Sequence, residues 1–282
     1  MKESESSNKY TEISINKTVD YLFDSFNLNF DSKNIDFFIN AINCGATPII
    51  VSNHQSLIDG IAIAKFVDQI NNRVKSDKIN GFYLPYAVSI TTGDQNLEVA
   101  KYFSNIENRC RQRNLFLIPV IRKKDKEKYN IDEKNPLYIN SQKSLRKILS
   151  LTKDKYGLAI LPEGTTQGGR IDHLGKFFGL FPSDVDSAID SLIPHFIKSE
   201  TDFCVLPIGI NGSCRLFSPD TYQIKPINSK IEINIGDIME PRSFKDNPKS
   251  SSNIVLKNIA TNLLQPEYVG ANFKNSSRTN LN

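Results

Sequence analysis

A histidine and an aspartate stand five positions apart in Ser52-Asn53-His54-Gln55-Ser56-Leu57-Ile58-Asp59. An imidazole backed by a carboxylate can draw a proton from a hydroxyl, because the carboxylate fixes the ring tautomer and strengthens the ring as a base. On an unbroken helix, residues five apart point about 140° away from each other. The pair can meet only if His54 stays outside a helix that takes Asp59 into its first turn. The flanking residues supply that arrangement: Pro48-Ile49-Ile50-Val51 reads as a buried strand and Leu57 to Val67 as a helix, with His54 in the turn between them. The same residues also admit a purely structural reading. Ser56-x-x-Asp59 has the form of a capping box, in which Asp59 would serve only the helix N-terminus.

Groups able to grip a substrate follow other apolar runs. Leu158-Ala159-Ile160-Leu161 leads into Pro162-Glu163-Gly164-Thr165-Thr166. Gly164 would let the backbone approach a ligand, Thr165 offers a hydroxyl, and Glu163 could accept a hydrogen bond from a substrate hydroxyl. An ordinary strand-end turn is the alternative. Ile118-Pro119-Val120-Ile121 leads to Arg122, and with Lys124 and Arg170 this makes a candidate phosphate-binding set. The run from Arg122 to Lys128 also has the composition of a solvated loop. His173, just beyond Gly168-Gly169-Arg170, could edge the pocket, and His195 is expected on a helix surface; neither has an identifiable partner.

The elements that would position these groups alternate. Strands are expected at Ile49–Val51, Phe82–Val88, Leu115–Ile121, Leu158–Leu161, Phe203–Ile210 and across Ile231, Ile233 and Ile235. Helices are expected from Leu57 to about Asn71, at Asn96–Arg109, at Ile139–Leu151 (Ile139, Leu145, Ile148 and Leu149 on a helical repeat), at Val185–Ile197 and at Ile254–Leu264. This predicts an α/β fold with a largely parallel or mixed central sheet flanked by helices. Ligands of such sheets gather at the strand carboxyl ends, where His54, Arg122 and Glu163 all fall. Ahead of the sheet, Val19, Leu22, Phe23 and Phe26, then Ile35, Phe38, Ile39 and Ile42, mark a pair of amphipathic helices. They read as core-packing elements, or as a platform for an acyl chain or membrane. The expected organisation is residues 1–9 disordered, 10–45 the helical pair, 46–264 the α/β domain and 265–282 a flexible Asn- and Ser-rich tail.

Four blocks in order carry a family resemblance. Asn53-His54 with Asp59 resembles the first block of the glycerolipid acyltransferases, which acylate glycerol 3-phosphate and lysophosphatidate. Ile118 to Arg122 is similar to their block ending in a phosphate-binding arginine, Pro162-Glu163-Gly164-Thr165 to their Pro-Glu-Gly-Thr element, and Val205-Leu206-Pro207-Ile208-Gly209 to their proline-centred fourth block. Gly168-Gly169-Arg170 resembles a stretch of the soluble plastid-type glycerol-3-phosphate acyltransferases, and Lys123-Lys124 matches their basic pair. Those enzymes carry a further arginine where this chain has Asp172, and Asn114 lies near a glycine common in the family.

The resemblance implies an acyltransferase domain and direct acyl transfer, with His54 and Asp59 as the catalytic pair. Arg122, Lys124, Glu163, Gly164, Thr165 and Arg170 would bind the acceptor. Acyl-CoA or an acyl carrier protein would be the co-substrate and a phosphorylated glycerol the acceptor, with no metal and no further cofactor. A non-glycerolipid hydroxyl acceptor, or a lipid- or carrier-binding protein with an idle site, are the alternatives. Arg109, Arg111 and Arg113 could meet an acidic carrier or form a solvated helix end.

Bulk properties fit that reading. With 282 residues, 39% apolar and 23% charged, the chain suits a globular protein with a sizeable core. Its 35 basic and 31 acidic residues leave +4, too mild to argue for nucleic acid but compatible with phosphorylated or anionic partners. No apolar run approaches the roughly 18 residues of a membrane span, so any membrane contact is expected to be peripheral and the location cytoplasmic. A plastid stroma would require prior removal of a transit peptide. Cys44, Cys110, Cys204 and Cys214 form no Cys-x-x-Cys pair, which predicts free thiols rather than a zinc site.

Overall fold

The computed structural model of the chain describes residues 26–28, 32–56, 59–87, 97–121, 126–127, 130–162, 170–171, 177–178, 188–213 and 231–269. The expected first helix up to residue 25, the segment 1–9 and the tail beyond residue 269 lie outside the described residues.

Runs of β-branched and aromatic residues form the strands of one sheet: β1 (Phe26–Leu28), β2 (Thr47–Ser52), β3 (Gly81–Ala87), β4 (Leu115–Val120), β5 (Tyr156–Ile160), β8 (Phe203–Asn211) and β9 (Ile231–Ile235). Two short strands, β6 (Arg170–Ile171) and β7 (Phe177–Phe178), pair antiparallel as a separate ribbon. The sheet order is β1-β9-β8-β2-β5-β3-β4. Strands β2, β3, β4, β5 and β8 run parallel, β9 lies antiparallel to β8, and β1 is parallel to β9. The chain steps outward from β2 to β3 and β4, returns to insert β5 between β2 and β3, then crosses to β8 on the far side of β2. Such a reversal opens a crevice at the strand carboxyl ends.

Helices cover both faces. α1 (Ser32–Asn43), α2 (Asp59–Asn71) and α3 (Leu97–Arg111) pack with Ile50, Ala159, Leu206, Ile208 and Ile210. α4 (Pro136–Leu149), the short α5 (Leu151–Asp154), α6 (Ile189–Lys198) and α7 (Ser251–Asn258) pack with Ile49, Val51, Leu158, Ile160, Phe203 and Val205. Successive strand residues thus alternate between two apolar layers, which is why β2 and β8 are apolar along both faces rather than alternating with polar residues. The expected mostly parallel α/β architecture is the one observed.

Three details differ from expectation. Phe26 does not end a helix; with Asn27 and Leu28 it pairs along the otherwise open side of β9, where sheet hydrogen bonds outweigh a local helical period. The tail does not loosen at Gln265: its N–H donates to Asn211 Oδ1 and its side chain to Glu232 Oε2, and Tyr268 and Val269 are buried. In α4, of the four residues on the helical repeat only Ile148 turns to the core, beside Ser141 and Ser144.

The Pro-Ile-Gly run of β8 has a local explanation. After α7 the chain continues as a wide turn, Ile259–Leu263, that lies directly on β8. A Cβ at Gly209 would stand 2.6 Å from Leu263 Cβ and 2.8 Å from the Leu263 carbonyl oxygen. Glycine is what permits that approach.

Candidate active site

The turn between β2 and α2 is fixed from both sides. On the β8 side, the buried Asn53 side chain imitates a strand residue. Its Oδ1 accepts from the Ile210 N–H at 2.7 Å and its Nδ2 donates to the Ile210 carbonyl at 3.0 Å. The amide extends the β2–β8 ladder past its last backbone pair, Ser52 with Ile208. On the helix side, Asp59 is the first residue of α2 and is fully buried. Its Oδ2 accepts from the N–H of Gln55 at 2.7 Å and of Ser56 at 2.8 Å.

The same oxygen lies 3.0 Å from His54 Nδ1, with side-chain exposures of 14% for His54 and 0% for Asp59. One carboxylate oxygen thus both ties down the turn and contacts the imidazole. With Asp59 ionised, the hydrogen between them sits on Nδ1, and the Nε2 lone pair is left to take a proton. A ring that is one-seventh exposed and braced from behind can exchange a proton with a small group entering at this edge, which is what general-base chemistry demands.

The setting is polar for a sheet interior. Ser52, Asn53, Gln55, Ser56, Asp59, Asn211 and Ser213 are all buried here, at the carboxyl ends of β2 and β8. Asn211 resembles Asn53 in use: its Nδ2 donates to the Leu263 carbonyl at 3.0 Å and its Oδ1 accepts from Gln265 N–H at 2.9 Å. Two buried side-chain oxygens at this edge, Asp59 Oδ1 and Ser213 Oγ, have no hydrogen-bond partner among the described residues. Buried polar atoms left in that state are rare and concentrate where a ligand or water completes them.

The spacing argument accounts for the His54–Asp59 contact. Arg122, Lys124, Glu163, Gly164 and Thr165 lie outside the described residues, as do His173 and Cys214; Arg170 is described only as backbone, in β6. What is observed is that β4 and β5 deliver the chain to Ile121 and Pro162 at the same sheet edge as His54. Ile121 is held there by its N–H bond to Ser141 Oγ at 2.9 Å. His195 is exposed on α6. At the end of α3, Arg111 lies 3.4 Å from Glu107 and the part-buried Arg113 donates to the Arg109 carbonyl. Among the described residues no cluster of three His, Cys, Asp or Glu side chains could hold a metal. Asn211 and Ser213 carry one signal in the sequence, which is polar residues set directly after the apolar run of β8 and around Gly212.

No model of a known protein family matches the chain, and no curated protein matches it significantly.

Proposed function

We propose that this chain is an O-acyltransferase that moves a fatty acyl group from a thioester, acyl-CoA or acyl carrier protein, to a hydroxyl of a glycerol-phosphate-type acceptor. One observation carries the reading: the largely sheltered His54 backed by the buried Asp59 carboxylate at 3.0 Å, at the carboxyl edge of a parallel sheet. The motif resemblance adds the substrate class.

In this mechanism the acceptor hydroxyl gives its proton to His54 Nε2 as its oxygen attacks the thioester carbonyl. Asp59 compensates the imidazolium that forms. The tetrahedral intermediate collapses, the carbon–sulfur bond breaks, and the imidazolium returns the proton to the departing sulfur. An ester and a free thiol result, and no acyl-enzyme is needed. Arg122, Lys124 and Arg170 would hold the acceptor phosphate, and Glu163, Gly164 and Thr165 its glycerol portion.

The test is purified full-length chain with glycerol 3-phosphate or lysophosphatidate and either donor, following thiol release and product mass. Ester formation with a phosphorylated acceptor supports the reading. Transfer only to acceptors without phosphate would move it to another hydroxyl substrate, and no thiol release with any pair would leave a binding protein.

A further inference from the structure

Four large apolar side chains stand exposed among the described residues, and three are on α4: Ile139 at 43%, Leu145 at 38% and Leu149 at 62%. The fourth, Phe37 on α1, has the Lys33 ammonium 5.9 Å from its ring centre. A surface helix ordinarily turns such residues inward. α4 instead seats Ser141, Ser144 and Ile148 against the sheet.

The same helix carries Lys143, Arg146 and Lys147, all exposed, and no acidic residue from Pro136 to Leu149. Outside it, acids stand at Glu127, Asp132, Glu133 and Asp154, and Lys126, next to Glu127, adds a further cation 5.0 Å from the ring centre of Tyr138 on α4. At about 100° per residue, Leu145 and Leu149 fall on one flank of the buried seam, followed by Arg146 and Ile139 at the outermost line and then Lys143. Lys147 falls on the opposite flank, where its Nζ lies 5.6 Å from the centre of the Tyr83 ring on β3. β3 is the inner neighbour of edge strand β4, so the apolar flank faces outward past the sheet edge.

An exposed aliphatic stripe bordered by cations, with no acid on the helix itself, fits a surface that is apolar below and anionic above. A second copy of the helix fits poorly, because face-to-face packing would bring like charges together. We infer that α4 is the face by which this protein rests on an anionic lipid surface. α4 runs antiparallel to β4 and β5, so its first turn lies at the sheet edge that holds His54. A helix lying along the lipid surface then puts that edge at the protein's lipid-facing rim. Only this last step, delivery of a lipid product or acceptor, rests on the acyltransferase reading.

The test uses the full chain without donor or acceptor, sedimented with vesicles of phosphatidylcholine alone or mixed with phosphatidylglycerol. Binding is expected to the mixed vesicles only and to weaken with added salt. Leu145→Gln/Leu149→Gln and Lys143→Glu/Arg146→Glu should each reduce the bound fraction by about tenfold or more. All four side chains are exposed, so thermal unfolding should match the wild type, and Phe37→Gln and His54→Ala should bind as the wild type does. Binding that survives both α4 double variants would assign the surface to another segment and overturn the inference. So would failure of the wild type to bind anionic vesicles, or α4-dependent capture of an acidic acyl carrier protein in place of vesicles.

Discussion

The two ends of the central sheet are built from different materials. Where the parallel strands begin, the chain places rings. Tyr83 stacks on Tyr156 with centroids 4.4 Å apart, Phe116 meets Tyr156 edge-on at 5.8 Å, and Phe203 sits between Phe196 at 5.7 Å and Phe244 at 6.1 Å. Where those strands end, the chain buries amides, hydroxyls and a carboxylate, and Asp59 Oδ1 and Ser213 Oγ have no partner among the described residues, against the one such atom, Asn71 Oδ1, near the start of β4. Ring packing favours the folded state with no ligand needed. Sheltered polar atoms with open valences cost stability, and such a cost persists where something outside the chain completes them. Under the proposed function the first end is scaffold and the second is where the substrate is handled.

The largest expected effect falls on the working end. His54→Ala should lower acyl-transfer turnover by about 10²–10⁴-fold while leaving the urea midpoint close to that of the wild type. Asp59→Asn should lose both rate and stability, since the N–H groups of Gln55 and Ser56 lose a charged acceptor. A variant that is less stable yet fully active would reduce Asp59 to a helix cap. The mirror experiment is at the other end. Phe203→Ala, at a fully buried ring, should cost about 3–5 kcal/mol in equilibrium unfolding with turnover per folded molecule unchanged. Loss of turnover without loss of stability there would dissolve the contrast.

A smaller effect separates the apolar layers from the polar edge through pH. Burial pushes the thiols of Cys110 and Cys204 up to about 12. Both states carry the proton below the ordinary thiol range, so neither thiol lowers stability there. Between about 9 and 12 the unfolded chain ionises while the folded one does not, and stability falls as pH rises. At pH 10 each thiol should contribute a loss on the order of 1 kcal/mol. The check is the urea midpoint at pH 8 and pH 10, with Cys110→Ala and Cys204→Ala each removing part of the difference. At pH 8 a thiol reagent should reach the exposed Cys44 in the folded protein and should not reach Cys110 or Cys204.

The sheet was legible because its strands are buried on both faces. Unbroken apolar runs such as Phe203–Ile210 leave no other economical reading, and strand–helix alternation then implies parallel neighbours. His54 and Asp59 were legible because spacing alone restricts how they can meet. Other features depend on partners distant in sequence. Phe26 joins β9 more than two hundred residues away, as the pairing with Ile231 requires. Asn53 and Asn211 act by bonding the backbone of Ile210 and of residues 263–265, and no local pattern announces which backbone an amide will meet. The exposure of Ile139, Leu145 and Leu149 was hidden for the converse reason. A helical repeat shows that residues share a side, and only packing decides that Ser141 and Ser144 take the inner place.

Ser213 offers the finest test of the contrast, and its expected effect on the free protein is the smallest. Its hydroxyl is buried beyond Gly212 at the end of β8 with no partner among the described residues. A hydroxyl held in that state costs the folded protein its lost hydration, so Ser213→Ala should leave stability unchanged or raise it by up to about 1 kcal/mol. If the edge is a workplace, the substitution should also raise KM or lower kcat, because a group that bonds only a bound molecule reveals itself only in its presence. Ser213→Thr, which retains the hydroxyl, should return part of that loss if the added methyl is tolerated, and a thermal unfolding scan shows whether it is. A gain in stability with unaltered kinetics would make the open hydroxyl a packing accident. Asp59 Oδ1 would then stand alone at this edge, matched at the aromatic end by Asn71 Oδ1, and the contrast would rest on the His54–Asp59 pair.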